Sequence, residues 1–158
     1  MAHGKEVGED FLRGGTKLVH LIVRLGASAD EVWADFSSPA GFDYLPGLKV
    51  RWTSPEPFGV GTTRSVSIGG VVKADERYFL WDNAARRKAF YVERFNLPGL
   101  GALAEDYHVT ADGPGSVFTW KIVVEPKPHL KALGVIARPV LNAALKRVFV
   151  KRFGPPAR

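Results

Sequence analysis

The feature that most constrains this chain is the order of its hydrophobic periods. One alternating segment is followed by a short helical period, then a series of alternating segments joined by turn residues, then one long helical period near the C-terminal end. Alternating segments joined by short turns pair antiparallel, and the apolar face they create needs a cover. A single long helix is available to supply it. The predicted fold class is α+β: a seven-stranded curved antiparallel sheet wrapped around a long C-terminal helix, with two short helices after strand 1. A lone helix on a concave sheet leaves room for a cavity, and such a cavity suits an apolar small molecule.

Residues 17–25 (KLVHLIVRL) place Val19, Leu21, Val23 and Leu25 on one face and His20 and Arg24 on the other. Ser28 with Glu31 forms a capping-box pattern, predicting a helix over 29–37 that buries Val32, Trp33 and Phe36. Pro39 then opens a second short helix through Phe42 and Tyr44, ended by Pro46-Gly47. Further strands are expected at about 48–53, 62–68, 71–80, 87–95, 105–111 and 117–125, with Gly69-Gly70 as a hairpin turn. Between them, 97–103 (LPGLGAL) reads as an apolar loop and candidate lid. The final helix spans about 128–153, with Leu130, Leu133, Ala137, Val140, Leu141, Ala144 and Val148 as the stripe facing the sheet. Val135, Phe149 and Phe153 fall on a second side, shared with Lys131 and Arg138. Pro139 should bend this helix or divide it in two.

A length of 158 residues fits one domain, expected over 16–154 between a flexible N-terminal arm or short surface helix (1–15) and a short tail (155–158). With no cysteine, disulfides and thiolate chemistry are excluded. Residues 1–15 lack the apolar run of a secretory signal, and no apolar stretch approaches the ~20 residues of a membrane span, so a cytoplasmic protein is expected. The net charge of +6 is concentrated after Pro126, where Lys127, Lys131, Arg138, Lys146, Arg147, Lys151, Arg152 and Arg158 face no acidic residue. Such a field favours an anionic membrane surface. The interleaved aromatic and basic residues of single-strand readers are missing, so no specific nucleic acid is expected.

With Ala29-Asp30-Glu31-Val32-Trp33 after the first strand, Gly61-Thr62-Thr63-Arg64 opening the third, Glu76 and Asp82 in and after the fourth, then Tyr91 and Trp120, the chain resembles the helix-grip superfamily. That group includes START lipid-transfer domains, birch-pollen-allergen-like proteins and bacterial polyketide cyclase or dehydrase-like proteins. The resemblance covers about 17–153 and implies a ligand between sheet and long helix.

Period-two parity nominates the lining as Tyr91 and Phe95, Tyr107 and Val109, and Phe118, Trp120 and Ile122, with Phe36, Phe42 and Tyr44 at the entrance. Leu133, Ala137 and Leu141 would complete it from the helix. Arg64 shares parity with Val66 and Ile68, and Glu76 on the adjoining strand is its natural partner, so the two form either a structural ion pair or a ligand anchor. Arg64, Tyr91 and Tyr107 are the catalytic candidates, one to polarise a carbonyl and the tyrosines to donate a proton. His3, His20, His108 and His129 are scattered, and neither a metal motif nor a cofactor motif is present. The leading expectation is a binding or carrier protein for a hydrophobic small molecule such as a lipid, polyketide or quinone, as monomer or homodimer. The alternatives are a cyclase, aromatase or dehydrase, and a regulator acting through protein or ribosome contact.

Overall fold

The structure, a computed structural model, describes residues 1–126 and 131–157, with the side chains of 131–137 left out. Its elements are β1 (Ala2–His3), α1 (Glu9–Gly14), β2 (Thr16–Leu25), α2 (Ala29–Ser37), β3 (Leu48–Trp52), β4 (Thr63–Ile68), β5 (Val72–Asp82), β6 (Arg87–Phe95), β7 (Leu100–Asp112), β8 (Gly115–Pro126) and α3 (Lys131–Phe153). The sheet is antiparallel throughout, in the order β2-β8-β7-β6-β5-β4-β3, with the two-residue β1 added beside β6. The expected curved sheet with its C-terminal helix is the observed architecture.

Local sequence explains most boundaries. Ser28 accepts from Glu31 N while the Glu31 carboxylate accepts from Ser28 N, so both partners of the capping box are made and α2 starts at Ala29. Gly69 and Gly70, with φ of 59° and 74°, supply the left-handed backbone of the three-residue turn between β4 and β5, in which Ile68 pairs Val72 and Val71 N bonds Ile68 O.

Four expectations change. The segment after α2 does not form a second helix: Gly41 N bonds Ser38 O, Asp43 N bonds Ala40 O and Leu45 N bonds Phe42 O, a run of turns interrupted by Phe42 at φ 71°. The supposed lid is mostly strand, because β7 begins at Leu100 and Ala102 is fully buried. Leu97, Leu100 and Leu103 pack against the core. Of the two readings of residues 1–15, the flexible arm gives way to the short helix, α1, and the residues before it are tied to the sheet: Gly4 N bonds Glu93 O, Lys5 N bonds Gly101 O, and Leu12 of α1 is buried on the face away from the main core.

The fourth change concerns α3. The helix is continuous through Pro139, and of the stripe chosen from the sequence Ala144 and Val148 do face the sheet across a cavity, but the most deeply buried side chain lies on the second side. Phe149 has no exposure, with Leu145, Val150 and Phe153 packed beside it, whereas Val140 is 72% and Leu141 39% exposed. Asn142 on the inner side donates to His20 O at 3.1 Å. Apolar residues surround this helix on several sides, so periodicity alone could not select between two stripes. Leu130 falls outside the described residues, as do the side chains of Leu133, Val135 and Ala137.

Candidate functional site: a polar-ended cavity under the C-terminal helix

A cavity of about 330 Å³ lies between the inner face of the sheet, the turn segment after α2 and the C-terminal half of α3. Its walls are mainly apolar: Phe42, Leu45, Pro46 and Leu48 from the turn segment and β3, Val66 and Ile68 from β4, Trp120 and Ile122 from β8, and Ala144, Leu145 and Val148 from α3. Into this lining the strands introduce four polar side chains: Arg64, Glu76, Glu105 and Tyr107.

Arg64 and Glu76 are direct cross-strand partners on β4 and β5. Arg64 Nε donates to Glu76 Oε2 at 2.5 Å, with both side chains 5% exposed. The guanidinium carbon also stands 4.9 Å from the Phe90 ring centroid and 5.4 Å from those of Trp52 and Tyr78. Burial opposes the arginine charge, but contact with Glu76 outweighs it and keeps the group protonated. The same burial pushes the Glu76 carboxyl up while Arg64 draws it down. Among the described residues Arg64 Nη1 has no hydrogen-bond partner, which leaves a buried charged donor beside the cavity.

Glu105 was not selected from the sequence, yet it completes the polar end. Its Oε2 accepts from the Tyr107 hydroxyl at 2.5 Å and from Trp120 Nε1 at 2.9 Å. Removal from water and the neighbouring Glu76 charge push its carboxyl up to about 7, against the two hydrogen bonds that stabilise the anion. At neutral pH it therefore exchanges between hydrogen-bond acceptor and donor. Parity was the available signal: Glu105 is two residues before Tyr107 on one strand and shares its face.

Lys88 was also missed. Its side chain is fully buried on the inner face of β6 beside Phe90, and its Nζ donates to Phe36 O near the end of α2. Burial, with Arg64 second, holds the amine well below the usual lysine range. A lysine in an alternating strand reads as solvent-facing unless its parity with Phe90 and Val92 is weighed.

The nominated residues divide. Phe42, Arg64, Glu76, Tyr107 and Trp120 meet at the cavity. Phe36 and Phe95 are core, Phe36 stacking on Phe42 at 4.7 Å between centroids. Val109 and Phe118 are fully buried behind the wall. Tyr44 packs among Phe42, Phe149 and Phe153 rather than on the cavity wall. Leu141 is exposed on α3. Tyr91 is on the other side of the sheet, packed with Leu12, Ala89 and Ala104. The shared parity of Tyr91 and Phe95 fails because Glu93 is an extra residue in β6: Val92 pairs Glu76 and Arg94 pairs Asp75, so the inward series runs Phe90, Val92, Phe95.

The sequence profile of the family described as polyketide cyclase / dehydrase and lipid transport matches residues 19–153. An uncharacterized protein of Mycobacterium tuberculosis is 32% identical over 145 residues, covering 90% of this chain and 86% of its own length. Among solved structures, norcoclaurine synthase from Thalictrum flavum, in complex with dopamine and hydroxybenzaldehyde, superposes with a TM-score of 0.65 at 23% identity, over 93% of this chain and 92% of that one. The Zhui aromatase/cyclase from Streptomyces sp. R1128 gives 0.63 at 18% identity, over 84% and 90%. A START superfamily protein from Mycobacterium smegmatis gives 0.62 at 14%, over 84% and 96%. Among the described residues, no helix is long and apolar enough to cross a membrane.

Proposed function

The chain belongs to the polyketide cyclase / dehydrase and lipid transport family, and from that premise we propose that it binds a hydrophobic small molecule bearing a carbonyl or comparable oxygen, held in the cavity beneath α3. The observation that carries this reading is the pairing of an apolar wall with two convergent polar groups, the unpartnered Arg64 Nη1 and the Glu105 carboxyl. A wholly apolar ligand would leave Arg64 Nη1 desolvated and unsatisfied, whereas a ligand oxygen satisfies it. Polyketides, quinones and fatty acyl compounds share this chemistry. The basic, acid-free chain after Pro126 suits loading of such a ligand at an anionic membrane surface.

Calorimetric titration with 2-acetylnaphthalene and its deoxygenated counterpart 2-ethylnaphthalene tests the assignment. The ketone should bind about tenfold or more tightly than the hydrocarbon, a preference lost in Arg64→Met, and Val148→Trp should abolish both. Equal affinities for the pair, or binding indifferent to Val148→Trp, would contradict it.

A catalytic reading of the same cavity rests on Glu105. A carboxyl near 7, hydrogen-bonded to Tyr107 and facing a cavity, is matched to moving a proton at a bound carbonyl compound, with Arg64 steadying negative charge on oxygen. Cyclisation or dehydration of a polyketone requires that combination. Among the tyrosine candidates, the lining position of Tyr107 supports this reading, whereas Tyr91 packs on the opposite face of the sheet.

A further inference from the structure

Lys88 is the one fully buried lysine among the described residues, and no carboxylate lies within ion-pair distance of it. Its Nζ is enclosed by aromatic rings, with centroids at 4.6 Å for Trp81, 5.5 Å for Tyr78, 5.6 Å for Phe42, 5.9 Å for Tyr107 and 6.0 Å for Trp33. Phe42 and Tyr107 are also cavity walls. The same two rings therefore border both the amine and the ligand space. Phe42 sits in the turn segment rather than in the sheet and holds a left-handed φ of 71°, a conformation costly for a bulky residue.

We propose that Lys88 captures the carbonyl carbon of the cavity's ligand as a reversible imine, with Phe42 as the gate ring between amine and ligand, so that the cavity selects hydrophobic aldehydes and ketones. The inference rests on the carbonyl-binding reading and adds a covalent step to it. The Nζ lone pair attacks the carbonyl carbon, a C–N bond forms, and the C=O electrons move to oxygen, which takes up a proton. The two amine protons and that oxygen leave as water when the C=N bond closes, so no outside oxidant or reductant is needed. Attack requires the neutral amine, which burial and the adjacent Arg64 favour against the opposing pull of Glu76 and Asp35. Arg64 Nη1 is available to the developing oxygen anion.

The test treats the full chain at pH 7 with 2-naphthaldehyde and sodium cyanoborohydride, which reduces an imine to a stable amine, and maps the adduct by peptide mass spectrometry. One naphthylmethyl group per chain should accumulate on Lys88 ahead of the surface lysines. In Lys88→Arg this labelling should vanish, and in Phe42→Ala it should accelerate about tenfold or more as the gate is removed. The Phe42 variant keeps the test decisive if the Lys88 variant misfolds. Adducts spread over surface lysines, or a rate on Lys88 unmoved by Phe42→Ala, would overturn the inference. If 2-acetylnaphthalene binds in the cavity while Lys88 stays unlabelled, the covalent step alone falls. If that ketone does not bind, the carbonyl-cavity reading falls and the imine with it.

Discussion

Arg64 Nε and Glu76 Oε2 meet at 2.5 Å across directly paired positions of β4 and β5, and the charge they bring inside ends at Arg64 Nη1, which no group among the described residues satisfies. Removing one partner strands the other as an isolated buried charge. Glu76→Gln should therefore destabilise the fold by about 3–5 kcal/mol, while the apolar pair Arg64→Met with Glu76→Leu should recover most of that loss. Chemical denaturation of both variants measures the difference, and the double variant should also lose the ketone preference.

The Glu105 carboxyl adds a pH dependence of definite sign. Its folded value of about 7 lies above the ordinary 4.5, so between these values the folded state holds a proton that the unfolded state has released. Its contribution is most favourable below about 4.5 and is lost as pH rises to about 7, by an amount of about 3 kcal/mol. Denaturation of the wild type and Glu105→Gln across this window should show the variant gaining relative stability as pH rises. Affinity for a ketone should weaken in the wild type as pH rises through about 7, because the protonated carboxyl donates to the ligand oxygen and the anion does not.

Placement separates the two tyrosines. Tyr107→Phe removes a donor to Glu105 at the cavity and should change ligand affinity several-fold or more, on the order of 1 kcal/mol. Tyr91→Phe acts on the opposite face of the sheet and should leave affinity within about twofold. The same titration reads both.

The two faces of α3 make a further contrast. Phe149, with no exposure and with Phe36, Phe118 and Trp120 around it, should cost about 3–5 kcal/mol when changed to Ala. Val140, 72% exposed, should cost no more than about 0.5 kcal/mol. Thermal or denaturant unfolding of the two variants decides which stripe is buried.

Ser28→Ala breaks a reciprocal cap and should cost about 1 kcal/mol, visible as a lowered midpoint with an unchanged slope in denaturant.

The architecture was legible because its signals are local and redundant. The capping box at Ser28 and Glu31 and the Gly69-Gly70 turn each specify one short conformation, and strand alternation then supplies the order of the sheet. The inward placement of Arg64 followed from the same alternation, since β4 pairs with β5 without a slip. Features depending on a single extra residue were hidden: Glu93 puts Tyr91 and Phe95 on opposite faces, and no local pattern announces that bulge. The turn after α2 was misread because Phe42 adopts a backbone that a phenylalanine rarely takes, held there by packing on Phe36, Tyr107 and Phe149. Glu105 and Lys88 were overlooked because charged residues in strands are ordinarily solvated. Their parity with Tyr107 and Phe90 carried the contrary signal.

Whether the cavity holds a hydrophobic ligand by an oxygen atom is read by native mass spectrometry of the protein purified from its own host, followed by denaturing extraction of whatever leaves with it. The expected result is a bound small molecule that is largely apolar and carries a carbonyl or related oxygen, retained by the wild type and absent from Val148→Trp. A clean unliganded mass that remains unshifted after exposure to lipids, quinones and polyketides would contradict it.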